Sequence, residues 1–407
     1  MSLTSFADRS ARRPIPARGF KKQLRVALLA PLLAAACATL PRAEAPPVSS
    51  PSLAPSGFSP LVRSLAVDGR VAGMEAEANI ARLRASVTDA SFDILAISGG
   101  GANGAYSAGI LVGLTRRGER PRYEVVTGVS AGALIAPFAF LGSEWDPQLT
   151  NAFVDGRSAD LLRSRGIGIL IRPGLNSGEP LRDLVDGFIT EDLVAAVAAE
   201  AARGRVLLVA TTDLDRQETV LWDMGQIASR GGEEARTLFR DVLIASASAP
   251  GLFPPIMIRV EGAENAYDEM HVDGGVTTPF FIAPELTYLS RDQLEGLRGA
   301  NVYVLVNGQI HAPARTTPQA TIPILERSFS TLMMHMTRTA ISNTSAFAAR
   351  HGMAFHLSAI PPERAESNWL DFDREQMRAL FALGEARVAT GQIWLSAEQA
   401  LLQSGND

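Results

Sequence analysis

The 407-residue sequence predicts an α/β domain: a mostly parallel sheet flanked by helices, with a helical C-terminal portion. Three observations predict it. Short apolar runs of strand length alternate with longer stretches of helical spacing, the pattern of a parallel sheet covered on both faces. Two of the early runs stop at glycine-rich turns that lead straight into helical segments. No internal repeat and no second linker interrupt the chain after residue 60.

The elements follow in order. Asp93-Ile-Leu-Ala-Ile-Ser98 is an apolar run that stops at three glycines, so it reads as a buried strand feeding a tight turn. Residues 102–117 are helical and end at Gly118. Tyr123-Glu-Val-Val-Thr127 is a second strand, ending at Gly128-Val-Ser-Ala-Gly132. A helix begins at Ala131, and Pro137 is expected to kink it or end its first segment. Thr190-Glu-Asp-Leu carries a capping residue and first-turn acids, and so opens another helix. Arg205 to Thr212 and Glu218 to Trp222 are the next strands. Residues 234–247 are helical, Asn301 to Val306 is again a buried strand, and 322–350 is a helix that stops before Gly352. The last forty residues are helical.

Composition narrows the function. Hydrophobic residues make up 46% and charged residues 20%, which excludes wholesale disorder. The net charge of −5 leaves no basic field over the chain, so nucleic acid is not an expected partner. A single cysteine excludes an internal disulfide and a cysteine-rich metal site; no metal or cofactor is expected.

That cysteine, Cys37, has a telling position. Arg12, Arg13, Arg18, Lys21, Lys22 and Arg25 precede the uncharged run Val26 to Ala36, and Cys37 follows at once. A basic region, a short apolar region and small residues describe a secretory signal, and the run is too short to span a membrane. The pattern resembles a bacterial lipobox. It implies cleavage before Cys37, lipidation of its thiol, and an exported protein anchored on the periplasmic side of a membrane. The alternative is a plain signal peptide with an incidental cysteine. Residues 41–60, rich in Pro, Ser and Ala, read as an extended tether. The expected organisation is therefore a signal region over 1–37, a tether and N-terminal segment over 38–84, and one α/β domain over 85–407. Its motifs lie within 93–284, and 285–407 is a C-terminal extension.

Three constellations carry chemistry. The turn Ser98-Gly-Gly-Gly-Ala-Asn-Gly104 lies between a strand and a helix. Its glycines let backbone amides approach a ligand, and the helix start favours negative charge. Gly99, Gly101 and Gly104 satisfy a dinucleotide-binding spacing, but the same amides could hold an oxyanion. The motif alone does not choose. Gly128-Val-Ser-Ala-Gly132 is a Gly-x-Ser-x-Gly between strand and helix, the context of a nucleophile elbow presenting Ser130. A serine needs a base. His271-Val-Asp-Gly-Gly275 offers Asp273, placed at a strand end before Gly274 and Gly275. A carboxylate can serve if burial raises its pKa or if it lies within reach of the hydroxyl. On its own, Asp-Gly-Gly is more often a surface turn.

The order of these motifs resembles the patatin-like phospholipase family, with a patatin-like α/β/α fold. Ala210-Thr-Thr-Asp-Leu214 with Thr219-Val-Leu-Trp222, Ser246-Ala-Ser-Ala-Pro-Gly-Leu-Phe-Pro-Pro255 and Pro279 are similar to further stretches of that family. The resemblance implies hydrolysis of acyl esters in lipids by a Ser130–Asp273 dyad, with an acyl-enzyme on Ser130. It also implies an oxyanion hole from the amides of Gly100, Gly101 and Ala102. Two positions depart from the pattern. Asn103 stands where the family often has Arg or Lys, and Ser98 where it often has an acid.

Other readings stay open at this point. A Ser–Asp–His triad could recruit His311, His335, His351 or His356, all downstream of the serine. A catalytically inactive, lipid-binding member of the family would keep the fold without turnover. A dinucleotide-binding module would want an acid at the end of the second strand, where Gly-x-Ser-x-Gly stands instead. His271 could orient Asp273 or act as a base, but reads more simply as a packed strand histidine. Met333-Met-His-Met336 reads as core packing on a helix.

Overall fold

Asp93–Ile97 (β3) is buried at every residue, as a strand must be when helices cover both faces of its sheet. Val125–Val129 (β4) is buried throughout as well and pairs with β3 in parallel. Asn301–Val306 (β9) lies parallel on the other side of β3, and Val206–Asp213 (β5) parallel beside β4. These strands, with Ala354–Ala359 (β10) parallel to β9, are the expected parallel sheet.

The structure is a computed structural model. It describes residues 53–65, 83, 86–87, 91–155, 178–262, 265–282, 297–308, 310–312, 314, 316–361 and 371–402, all within the compact unit Ala43–Asp407. The signal region, Cys37 and the tether up to residue 52 lie outside the described residues.

Beyond β5 the sheet turns antiparallel. Glu218–Asp223 (β6) and Ala266–Asp273 (β8) both run antiparallel to β5, and Ile256–Glu261 (β7) is antiparallel to β8. The β7 residues alternate buried and exposed, so this flank has one wet face. The order across the sheet, with Ala54–Pro55 as β1, is β1-β7-β8-β5-β4-β3-β9-β10, with β6 on β5. Helices Gly104–Arg117 (α1), Ala131–Leu141 (α2), Asp146–Val154 (α3), Glu179–Phe188 (α4), Glu191–Ala202 (α5), Met224–Ser229 (α6) and Gly232–Ser246 (α7) connect the strands up to β7. Thr321–Arg350 (α8), Arg374–Ala389 (α9) and Ala397–Leu402 (α10) follow. Met377, Leu380 and Phe381 of α9 are buried in the core that α1 also joins.

Two expectations need correction. The tether does not extend to residue 60. Ala54–Pro55 (β1) pairs with β7, Arg63–Leu65 (β2) pairs with β6, and Leu53, Ala54 and Val62 are buried. Proline is tolerated there because β1 is an edge strand, and Arg63 ties the segment down by donating from Nη2 to Glu269 Oε1 at 3.0 Å. The folded part therefore begins well before residue 85. Next, α2 does not end at Pro137 but runs on to Leu141; eight of its first nine other residues are buried, and that packing outweighs the missing donor. The C-terminal portion is helical as expected, and it also supplies the edge strand β10 between α8 and α9.

Candidate active site

The strand register brings the serine and the aspartate together. β4 runs parallel to β5 and its last rung pairs Val129 with Ala210. β8 runs antiparallel on the same edge of β5 and its last rung pairs Asp273 with Thr211. Two strand ends thus meet head to head at adjacent rungs. Ser130, the residue after β4, faces Asp273, the residue that ends β8. Ser130 Oγ donates to Asp273 Oδ2 at 2.6 Å.

Ser130 occupies φ 55°, ψ −125°, a backbone region that side chains other than glycine rarely adopt. Such strain persists only where surroundings over-determine it, and two contacts do so. The Ser130 amide donates to Ser246 Oγ at 3.0 Å, and Ser246 Oγ donates in turn to the Ala210 carbonyl at 2.7 Å. Gly132 lies against the end of β3. A Cβ placed on it would sit 2.3 Å from the Ile97 carbonyl oxygen. Gly132→Ala is therefore expected to destabilise the fold by about 2–3 kcal/mol, read as a lower denaturation midpoint at unchanged m-value. An unchanged midpoint would mean that the helix and strand do not cross this closely.

Asp273 is held as firmly. Its amide donates to the Ser248 carbonyl at 3.0 Å, its own carbonyl accepts from Thr212 Oγ1 at 3.0 Å, and Oδ1 accepts the Gly275 amide at 2.7 Å. The carboxyl is buried. Burial pushes its pKa up from 3.8 to about 6, against the opposing pull of the Ser130 and Gly275 hydrogen bonds. A carboxylate poised there is a base near neutral pH.

The glycine turn sits beside them. Asn307, just past β9, pins it: its backbone amide donates to Ser98 Oγ at 2.9 Å, and Nδ2 donates to the Ser98 carbonyl at 2.9 Å. Asn307 Oδ1 also accepts from Ser107 Oγ at 2.6 Å. Gly100 lies so close to Asn307 that a Cβ would come within 2.5 Å of the asparagine Cβ. Ser98, where an acid was the expectation, thus serves to lock the turn. The amides of Ser98 and Gly99 are taken by the Leu305 and Pro279 carbonyls. Among the described residues the amides of Gly100, Gly101 and Ala102 have no such acceptor. Asn103 is 1% exposed, and among the described residues neither Oδ1 nor Nδ2 has a hydrogen-bond partner.

Two cavities open on Ser130, each about 830 Å³ including space open to solvent, and they share Gly101, Ser130 and Ala249. Leu134, Phe138, Phe153, Leu184, Phe188 and Phe253 wall the first, which no charged side chain lines among the described residues. Asn103, Asp273, Pro279, Phe329, Met333 and Met334 line the second. Met333 and Met334 are thus a partly buried cavity wall rather than the expected core packing.

The histidines lie elsewhere. His271 is fully buried with Nδ1 2.9 Å from Thr211 Oγ1 and Nε2 3.3 Å from Glu269 Oε2, so its ring serves packing. His311 contacts the Ala400 carbonyl and Arg338, and His356 stacks on Tyr303. None of the five histidines lines either cavity. Sequence reasoning missed Ser246, Ser248 and Asn307. The first two lie inside a stretch already singled out, and Asn307 follows a predicted strand, but neither position reveals its partner.

Residues 95–284 match the family model described as patatin-like phospholipase. Among solved structures the chain is similar to VipD from Legionella pneumophila, at 12% identity over 75% of this chain and 67% of that one, with a TM-score of 0.38. It is also similar to the human GIVD cytosolic phospholipase A2, at 10% identity over 74% of this chain, with a TM-score of 0.35; the match spans 52% of that protein. No curated protein sequence matches the chain.

Proposed function

With residues 95–284 forming a patatin-like phospholipase domain, we propose that the protein hydrolyses acyl ester bonds in lipids through a Ser130–Asp273 dyad. One observation carries the reading: the Ser130 hydroxyl donates at 2.6 Å to a buried carboxylate whose pKa is raised to about 6. That is the nucleophile–base geometry of covalent acyl transfer, with no histidine between.

Ser130 Oγ attacks the ester carbonyl while its proton passes to Asp273. The carbonyl oxygen takes the charge of the tetrahedral intermediate, and the amides of Gly100, Gly101 and Ala102 are the donors available to it. Collapse breaks the bond to the alcohol oxygen, which takes the proton from Asp273, and leaves an acyl-enzyme on Ser130. Water then attacks that ester, gives a proton to Asp273, and the acid departs as Ser130 regains its proton. The apolar first cavity suits the acyl chain, and the second suits the alcohol part. The basic region, apolar run and Cys37 support an exported protein carrying a lipid anchor on the periplasmic side.

The test is a fluorophosphonate probe, which phosphonylates an activated serine. Mass spectrometry of the labelled protein should find the adduct on the peptide containing Ser130. A folded protein that takes no label would fit a lipid-binding member without turnover.

A further inference from the structure

Resting on the reading of this site as a lipid acyl hydrolase, we propose that the first half of α8 docks the protein onto a phospholipid bilayer, with the mouth of the second cavity against the membrane. The observation is a helix whose first half carries large apolar side chains that are not buried. Its buried residues, Thr337, Ile341, Thr344 and Ala348, all lie in the second half. Across residues 321–336 no described side chain is buried, yet Ile324, Leu325, Phe329 and Leu332 are 49%, 60%, 38% and 56% exposed. A folded protein rarely leaves several large apolar side chains, here Ile324, Leu325 and Leu332, exposed on one stretch of helix without use.

The occupant follows from continuity. Leu325, Leu332 and Phe329 fall within one narrow arc of the helix at 100° per residue. Phe329 is also a wall of the second cavity, together with Met333 and Met334 on the next part of the helix surface. Whatever covers the exposed stripe therefore sits over the entrance to Ser130. A bilayer meets that requirement and holds the ester as well. A rigid protein partner in the same place would stand in the substrate's path. The helix is thirty residues long, but among the described residues no helix is apolar enough to cross a membrane. It has the composition to lie in the interface, apolar stripe inward, with Ser328, Thr331 and His335 on the flank of the stripe away from the cavity-lining residues.

The experiment uses the full chain with Cys37→Ala, so that an added cysteine carries the only thiol. An environment-sensitive dye is attached at Leu332→Cys or, on the half of α8 that packs on the sheet, at Asn343→Cys. Phosphatidylcholine vesicles should shift the Leu332→Cys dye to the blue, and brominated phosphatidylcholine should quench it, while the Asn343→Cys dye stays unchanged. In parallel, Leu325→Glu/Leu332→Glu should hydrolyse an ester carried in those vesicles at least ~10-fold more slowly, from the lost partitioning of two leucines. Hydrolysis of a short soluble ester should be unchanged, since neither leucine lines a cavity. The proposal is overturned if the Leu332→Cys dye ignores vesicles, if both esters slow equally, or if the dye responds to protein concentration alone, which would assign the face to a second copy. Should the parent protein cleave neither ester, the hydrolase reading fails, and the dye still decides the docking.

Discussion

Ser130→Ala is expected to lower kcat on an acyl ester by roughly 10⁴-fold or more, because it removes the atom that forms the covalent intermediate while leaving the cavities in place. The fold should survive. Alanine takes the same backbone strain that serine bears at φ 55°, and the bond from the amide to Ser246 Oγ does not involve the lost hydroxyl. A companion variant separates strain from chemistry. Ser130→Gly should be equally inactive but more stable than Ser130→Ala by about 1 kcal/mol, since glycine adopts positive φ without the clash. Activity and denaturation curves on the pair test both statements. Esterase turnover that persists in Ser130→Ala would remove the serine from the reaction.

Asp273→Asn should lower kcat by about 10³-fold, since the amide cannot take the proton from Ser130. The same variant has a second signature, in stability. The aspartate's pKa is about 6 in the fold against 3.8 for the free side chain. Between those values the folded protein holds a proton that the unfolded chain releases. Its stability therefore falls as pH rises from about 4 to 6, by roughly 3 kcal/mol in all, and stays at the lower level above 6. Asparagine carries no such penalty and keeps an acceptor for the Gly275 amide. The variant is expected to be more stable than the parent at pH 8, with the advantage gone near pH 4. In the parent, turnover should drop with half-effect near pH 6, as the base becomes protonated. Parallel stability–pH profiles for the two proteins would contradict a buried, charged Asp273.

Much of this was legible in the sequence, and the reason is local. Continuous apolar runs specify buried strands, so β3, β4, β5 and β9 were readable. The glycines around Ser130 record a turn that only small neighbours allow. The antiparallel flank was less legible, because pairing direction depends on which edge is free. The segment over 53–65 was misread since composition scores a proline-rich stretch as linker, and cannot know that Arg63 finds Glu269 across 206 positions.

By itself the sequence determined which serine stands in a Gly-x-Ser-x-Gly turn, the glycine turn beside it, and a parallel sheet to carry both, all of them properties of a few consecutive residues. Only the tertiary structure decided that Asp273 lies buried against the Ser130 hydroxyl rather than in a surface turn or beside a histidine. That choice depends on two strands ending at Ala210 and Thr211 on one edge of β5, and on the burial that raises the carboxylate's pKa. The exposure of the apolar stripe on α8 was decided there too, because helical spacing says which residues share a face but not whether anything covers it.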